Sequence, residues 1–146
     1  DSDRDSSVLN TVKSALVDQQ GHLKIEKCIW SDKKINQKNL AIDHFIPFSS
    51  NRIEHLWNLM PTDRQVNLNK SDKIPTPELV KSRFKEIQNC WRFYREKHTA
   101  RFDREFKDGL SLSADDVEHT VALDALIERV THQVNIRGME YWKGPG

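Results

Sequence analysis

Cysteine is scarce in this sequence. Only Cys28 and Cys90 occur among its 146 residues, and they stand far apart in the chain. Without a Cys-x-x-Cys pair, the cysteines alone can form neither a zinc ribbon nor the framework of a disulfide-rich secreted domain. A reducing, cytoplasmic setting is the simplest interpretation, and we expect no structural zinc.

Long apolar runs are missing as well. A membrane-spanning helix requires about 18 or more consecutive apolar residues, and a signal peptide requires an apolar segment near the start. The sequence has neither, so we expect no membrane association. It opens on Asp1 rather than methionine, so we expect it to be a module of a larger protein or a processed product.

A large excess of one charge is the third absence. The net charge is only +1 although 31% of the residues are charged, whereas many nucleic-acid-binding domains are strongly basic. The charges are segregated instead, with nine Lys/Arg against four acids between 81 and 107, and five acids against one Arg between 112 and 130. This middle segment suits a nucleic-acid surface, and it is explained equally well by solvation of amphipathic helices.

Hydrophobic periodicity predicts short extended segments near the start of the chain, after one helix. The helix is predicted over 8–19, with Ser7 as its N-cap. Extended runs are predicted over 22–30 and 40–48, with a turn at 31–34 between them and a polar break at 49–51 after them. We expect these two runs to form an antiparallel hairpin.

The rest of the sequence is predicted to be mainly helical. Thr62 and Gln65 have capping-box spacing, which predicts a helix from Pro61-Thr62 to about Ser71. Further helices are predicted over 77–97 after Thr76 and Pro77, over 99–107 before Asp108-Gly109, and over 114–135 after Ser113 and Asp116. The predicted fold class is α+β.

Polar residues whose side chains could act in catalysis or bind a metal are concentrated between the second extended run and the helix that follows. Asp43-His44 stands near the end of the run, Asn58 follows in the predicted loop, and Asn67 and Lys70 lie on the predicted helix. Together with Pro47 and Trp57-Asn58-Leu59, this arrangement resembles the motif of the HNH (ββα-metal) endonucleases, in a His-Asn-Asn form. It is also similar to the HNH domain of the RNA-guided CRISPR nuclease.

The resemblance implies a small ββα finger at about 22–73, an antiparallel hairpin plus a helix. An N-terminal helix and long C-terminal helices at about 76–136 would brace this finger within a single domain, 1–146. Paired cysteines that hold a zinc ion in many HNH proteins are missing. We therefore expect apolar packing to hold the finger, through Trp30, Ile42, Ile46, Trp57 and Leu59.

The resemblance also implies a role for each motif residue. Cutting a phosphodiester bond requires a base for the attacking water and positive charge on the phosphate. His44 would be the general base, and Asp43 and Asn67 would offer hard oxygen ligands to Mg²⁺ or Mn²⁺. Asn58, grouped with the catalytic residues, would hold the loop by hydrogen bonds to the backbone near the histidine. Contacts to nucleic acid would come from Arg64, Lys70 and Lys73.

Each motif residue has a simpler interpretation when it is taken alone. His44 would be a core histidine, Asp43 a strand-end cap, Asn58 a turn residue, Asn67 an ordinary helical residue and Lys70 part of a solvated helix face. Their combination at family spacing favours the nuclease interpretation.

The function we predict is metal-dependent hydrolysis of DNA, in a module of a CRISPR, restriction or other phage-defence system and joined to a larger targeting protein. Two alternatives stay open, a ββα module that binds nucleic acid without cutting it and a protein-interaction domain. The motif does not distinguish DNA from RNA.

Overall fold

The computed structural model describes residues 2–47 and 54–145, with side chains from Ser6 onward. These ranges contain six α-helices and four short strands, which confirms the predicted α+β class. The end of the second extended run at Phe48 and the polar break at 49–51 lie outside the described residues. None of the helices in the described ranges is long and apolar enough to cross a membrane.

Helix α1 (Ser2–Leu16) starts earlier and ends earlier than the periodicity predicted. The Asp18 carboxylate accepts hydrogen bonds from the N–H groups of Gln20 and His22, and Gly21 has a positive φ of 84°. These features form a turn that ends the helix, because a left-handed backbone conformation is easy only for glycine.

The hairpin consists of strand β1 (Leu40–His44) and strand β2 (Leu59–Asp63), which pair antiparallel with His44 opposite Leu59. The prediction that 22–30 forms one of its strands is wrong, because among the described residues this segment makes only isolated bridges. Its apolar run, Cys28 to Trp30, is buried in a turn against β2, where Ile29 N–H bonds to the carbonyl of Pro61. An apolar run of three residues packs equally well in a turn and in a strand, so periodicity could not distinguish a buried turn from a strand.

Helix α2 (Arg64–Lys70) follows β2 and completes the ββα unit. The sequence predicted Thr62 as its N-cap, but the cap is Asp63, whose carboxylate accepts from the N–H groups of Gln65 and Val66. Thr62 is held in β2, and its hydroxyl donates to the Ala41 carbonyl across the hairpin. Strand pairing therefore delays the start of the helix.

The single helix predicted over 77–97 is two helices, α3 (Pro77–Ser82) and α4 (Phe84–Lys97). The predicted start is confirmed, since the Thr76 side chain accepts from Leu79 N–H and Pro77 is the first helical residue. The break falls at Arg83, whose guanidinium donates to the Ile29 carbonyl and pairs with Asp32. These contacts hold the turn of 28–32 against the helices.

Helix α5 (Thr99–Leu110) continues through Gly109, where the sequence predicted a stop. A Cβ atom on Gly109 would lie 2.5 Å from Nε1 of Trp57, so this glycine permits close approach between the helix and the finger. The capping box of Ser113 and Asp116 is confirmed, but it starts a 3-10 helix (Ala114–Glu118), which helix α6 (Thr120–Asn135) follows.

Two further strands were not predicted. Strand β3 (Ile74–Pro75) pairs in parallel with strand β4 (Tyr141–Trp142), so the C-terminal segment returns to the end of α2. The core lies between the hairpin and the helices. Two side chains of α4 bond to the finger's backbone, with Trp91 Nε1 donating to the Trp57 carbonyl at 3.0 Å and the Tyr94 hydroxyl to the Leu59 carbonyl at 2.7 Å.

Candidate active site at the end of the hairpin

Three of the residues singled out from the sequence share one open cavity of about 420 Å³. Asp43 and His44 reach it from the end of β1, and Asn67 reaches it from α2. Asp72, an exposed residue that the sequence pattern did not indicate, lines it as well. Neighbouring residues on a strand point to opposite faces, yet both line this cavity, and they lie at the end of β1 just before the bend at 45–46.

The Asp43 carboxylate is buried, with 3% of the residue exposed. Its Oδ2 accepts a hydrogen bond from Trp30 Nε1 at 2.8 Å, and its Oδ1 lies 3.0 Å from the Lys70 ammonium. Burial raises the pKa of this carboxyl, while the charge of Lys70 and the two hydrogen bonds favour the ionised form and oppose the rise. Both hydrogen-bond donors fix the orientation of the carboxylate at the edge of the cavity.

Lys70 is placed differently from what the sequence predicted. The prediction that it contacts nucleic acid is not supported, because it is fully buried and its Nζ contacts Asp43 Oδ1 and the His44 carbonyl, the latter at 3.1 Å. A buried ammonium needs such partners, since burying an unpaired charge costs several kcal/mol. Lys70 therefore joins α2 to the end of β1 from inside the protein.

His44 is partly exposed, with 19% of its side chain accessible. Its Nε2 lies 3.4 Å from Oε2 of Glu54, which is 29% exposed. Besides the cavity already described, His44 lines a second one of about 530 Å³ together with Glu54 and Arg64. Glu54 was missed at the level of sequence, because no motif spacing relates it to the histidine.

Asn58 is completely buried behind His44. Its side-chain amide bonds to the backbone N–H and carbonyl of Ile46, and its own carbonyl accepts from Phe45 N–H at 2.8 Å. These contacts hold the bend that follows β1.

Asn67 lies in the second turn of α2 and is half-buried. The helix is fixed at its start by Asp63. Burial alone would raise the pKa of this carboxyl, but hydrogen bonds from Val66 N–H, Asn39 and Lys33 together lower it below its ordinary value. The cap thus positions the helix that carries Asn67.

The remaining predicted nucleic-acid contacts are available at the surface. Arg64 is exposed at the start of α2, and Lys73 is half-buried just beyond its end. Arginines of the basic segment are less available, because several form ion pairs with acids of the same chain. These pairs are Arg83–Asp32, Arg92–Glu118, Arg95–Asp103 and Arg101–Glu105.

The C-terminal strand supports the site from outside the motif. Trp142 Nε1 donates to Oδ1 of Asn69 on α2 at 3.0 Å, and the Trp142 ring packs edge-on against Trp30, which holds Asp43. A contact between residues so distant in sequence has no local signal, so the sequence pattern could not indicate it.

The donor atoms at the cavity fit a hard divalent cation. No cluster of three His, Cys, Asp or Glu side chains suited to a metal occurs within 2–47 and 54–145. The oxygen donors that line the cavity are instead the carboxylates of Asp43 and Asp72 and the side-chain amide of Asn67, and oxygen atoms of this kind suit Mg²⁺ and Mn²⁺. A carboxylate has about four lone pairs, so the bonds from Trp30 and Lys70 leave Asp43 with capacity for a further partner.

Comparison with known proteins agrees with this geometry. Residues 28–76, which include the whole hairpin, α2 and every residue of the candidate site, match the family model described as HNH endonuclease. No curated protein gives a significant match to the chain. HNH nucleases generally depend on a divalent metal ion, and the match supports an HNH nuclease domain in this part of the chain.

Proposed function

We propose that this chain hydrolyses phosphodiester bonds of DNA, with His44 as the general base and with Mg²⁺ or Mn²⁺ held by Asp43 and Asn67. The observation that carries this proposal is the convergence of these three residues on one open cavity, inside the segment that matches the HNH family. Binding alone would require none of the three.

His44 is suited to accept a proton from water. When Nε2 carries the ring proton and donates a hydrogen bond to Glu54, the lone pair of the neutral imidazole lies on Nδ1. That nitrogen takes the proton as the water oxygen attacks the phosphorus atom and the bond from phosphorus to the leaving sugar oxygen breaks. The hydrogen bonds of Asn58 around the bend fix the position of the ring, which a base needs in order to act on one particular water.

Asp43 and Asn67 would hold the divalent ion that supplies positive charge to the phosphate in the transition state. Asp43 is oriented by Trp30, and Asn67 by a helix that is capped by Asp63. Only two protein ligands are proposed, so the substrate phosphate and water have room in the coordination shell.

Arg64 and Lys73 would bind the phosphates that flank the scissile bond. Arg64 shares a cavity with His44, which supports this role. We further propose that the chain is a single domain and works as a cytoplasmic module of a larger protein in CRISPR, restriction or another phage-defence system. This setting is proposed from the motif resemblance alone.

The test is a cleavage assay with supercoiled DNA and with RNA of the same sequence, in EDTA and in Mg²⁺ or Mn²⁺. We expect DNA to be cut only when the metal is present. Binding that weakens with salt, without cleavage under any metal, would instead favour the module that binds nucleic acid but does not cut.

A further inference from the structure

The Lys70 ammonium is paired with the carboxylate of Asp43, the same group that is proposed to bind the metal ion. It lies 3.0 Å from Asp43 Oδ1 and 3.1 Å from the His44 carbonyl oxygen, and the residue is fully buried. Both acceptors belong to the end of β1, beside the cavity, and Asn67 lies one helical turn before Lys70 on α2. One positive charge therefore already balances the buried carboxylate.

We propose that Lys70 is an internal counter-ion that occupies Asp43 in the metal-free protein and is displaced when a divalent cation binds. Metal binding would then exchange one cation for another on the same carboxylate. This inference rests on the proposed function, because it takes Asp43 and Asn67 as the metal ligands.

The physical reason for an exchange is the repulsion between like charges. Asp43 supplies a single negative charge, and an ammonium together with a divalent ion would leave this buried carboxylate with a local excess of two positive charges. The carboxylate of Asp72 lines the same cavity but is exposed, so water weakens its effect on that excess. Such repulsion is strong at short distance where water is scarce. Removing the ammonium halves that excess.

The lysine side chain is also suited to leave. Its charge is carried on a flexible four-carbon stem and is strongly hydrated in water, so solvation of the released ammonium offsets the loss of its two contacts. Lys70 is the last residue of α2, and Ser71 and Asp72 beyond it are exposed. The side chain therefore has solvent within reach.

The experiment measures how fast Lys70 is acetylated in the folded protein. The unmodified chain is treated with an acetyl N-hydroxysuccinimide ester in EDTA or in saturating MnCl₂, and modification at each lysine is quantified by mass spectrometry. Lys107, which is exposed on α5, serves as the internal reference. Mn²⁺ binding is measured in parallel by calorimetry, for the parent and for Asn67→Ala.

We expect Lys70 to react much more slowly than Lys107 in EDTA, and Mn²⁺ to speed its modification by roughly tenfold or more, since labelling follows the exposed population. Asn67→Ala should abolish that increase. If Mn²⁺ binds the parent but not Asn67→Ala while Lys70 stays protected, the exchange is wrong and the proposed metal site stands. If the parent binds no Mn²⁺, the exchange and the proposed metal site are both wrong.

Discussion

The side-chain amide of Asn58 makes two hydrogen bonds to the backbone of Ile46. Its Oδ1 accepts from the Ile46 N–H at 2.8 Å, and its Nδ2 donates to the Ile46 carbonyl at 3.0 Å. Ile46 lies in the bend that follows His44, so the buried amide ties this bend to the start of β2. We propose that this link keeps Asp43 and His44 in position.

Asn58→Ala should lower both stability and cleavage. The change leaves a buried N–H and a buried carbonyl of Ile46 without partners, which costs about 1–3 kcal/mol. Thermal melting and single-turnover cleavage measure the two effects. Asn89→Ala, at an exposed position of α4, is the control and should change neither. An Asn58→Ala protein that melts like the parent would show that the link is not needed.

Asp43→Ala and Asn67→Ala should differ in stability although both remove a proposed metal ligand. Removing Asp43 takes the counter-charge from Lys70 and leaves the buried Trp30 Nε1 without its acceptor, and an unsatisfied buried donor of this kind costs about 1–3 kcal/mol. Asn67 is half-buried, and its loss should lower the melting temperature little while reducing the cleavage rate. Equal melting temperatures in the two variants would contradict the role of the buried pair.

The Asp63 cap should make stability depend on pH. The pKa of Asp63 is lowered in the folded protein, so its ionised form stabilises the fold above the ordinary aspartate pKa of about 3.9, and this contribution is lost as the pH falls through the folded-state value. Asp63→Asn should therefore be less stable than the parent at pH 7, and the gap should close in acid. Urea unfolding at a series of pH values measures the difference in unfolding free energy between the two proteins. A difference that stays constant with pH would argue against the lowered pKa of Asp63.

Arg64→Ala and Lys73→Ala should weaken DNA binding without a large change in the rate at which bound DNA is cleaved. Each lost phosphate contact should reduce the slope of log affinity against log salt by about one. Arg92→Ala is the matched control, because Glu118 already neutralises that guanidinium. Affinity measured between low and high salt tests the difference. An equal loss in all three variants would mean that binding follows overall charge rather than this surface.

The sequence predicted more of the candidate site than of the fold around it. The resemblance to the HNH motif implied that Asp43, His44 and Asn67 would form one site, and the structure has them on one cavity. The second strand of the hairpin, β2, could not be predicted, because Leu59 to Asp63 contains a proline and lacks strand alternation. Its five residues are all buried, which removes the period of two that identifies a strand.

Contacts between distant parts of the chain also could not be predicted from the sequence. In the sequence, Lys70 looks like part of a solvated helix face. Only the folded chain brings Asp43 and the His44 carbonyl to its ammonium. The pairing of β3 with β4 and the bond between Trp142 and Asn69 depend on where the C-terminal segment returns. Local propensity contains no information on that return.

The most direct test of the central claim is single-turnover cleavage of DNA by His44→Ala in saturating Mg²⁺. His132→Ala, at an exposed position on α6, is the control for loss of a histidine. The His44 variant should fold and bind DNA like the parent, and its cleavage rate should fall by roughly 10²–10⁴, the usual contribution of a positioned general base. A folded His44→Ala protein that cuts DNA as fast as the parent would contradict the account.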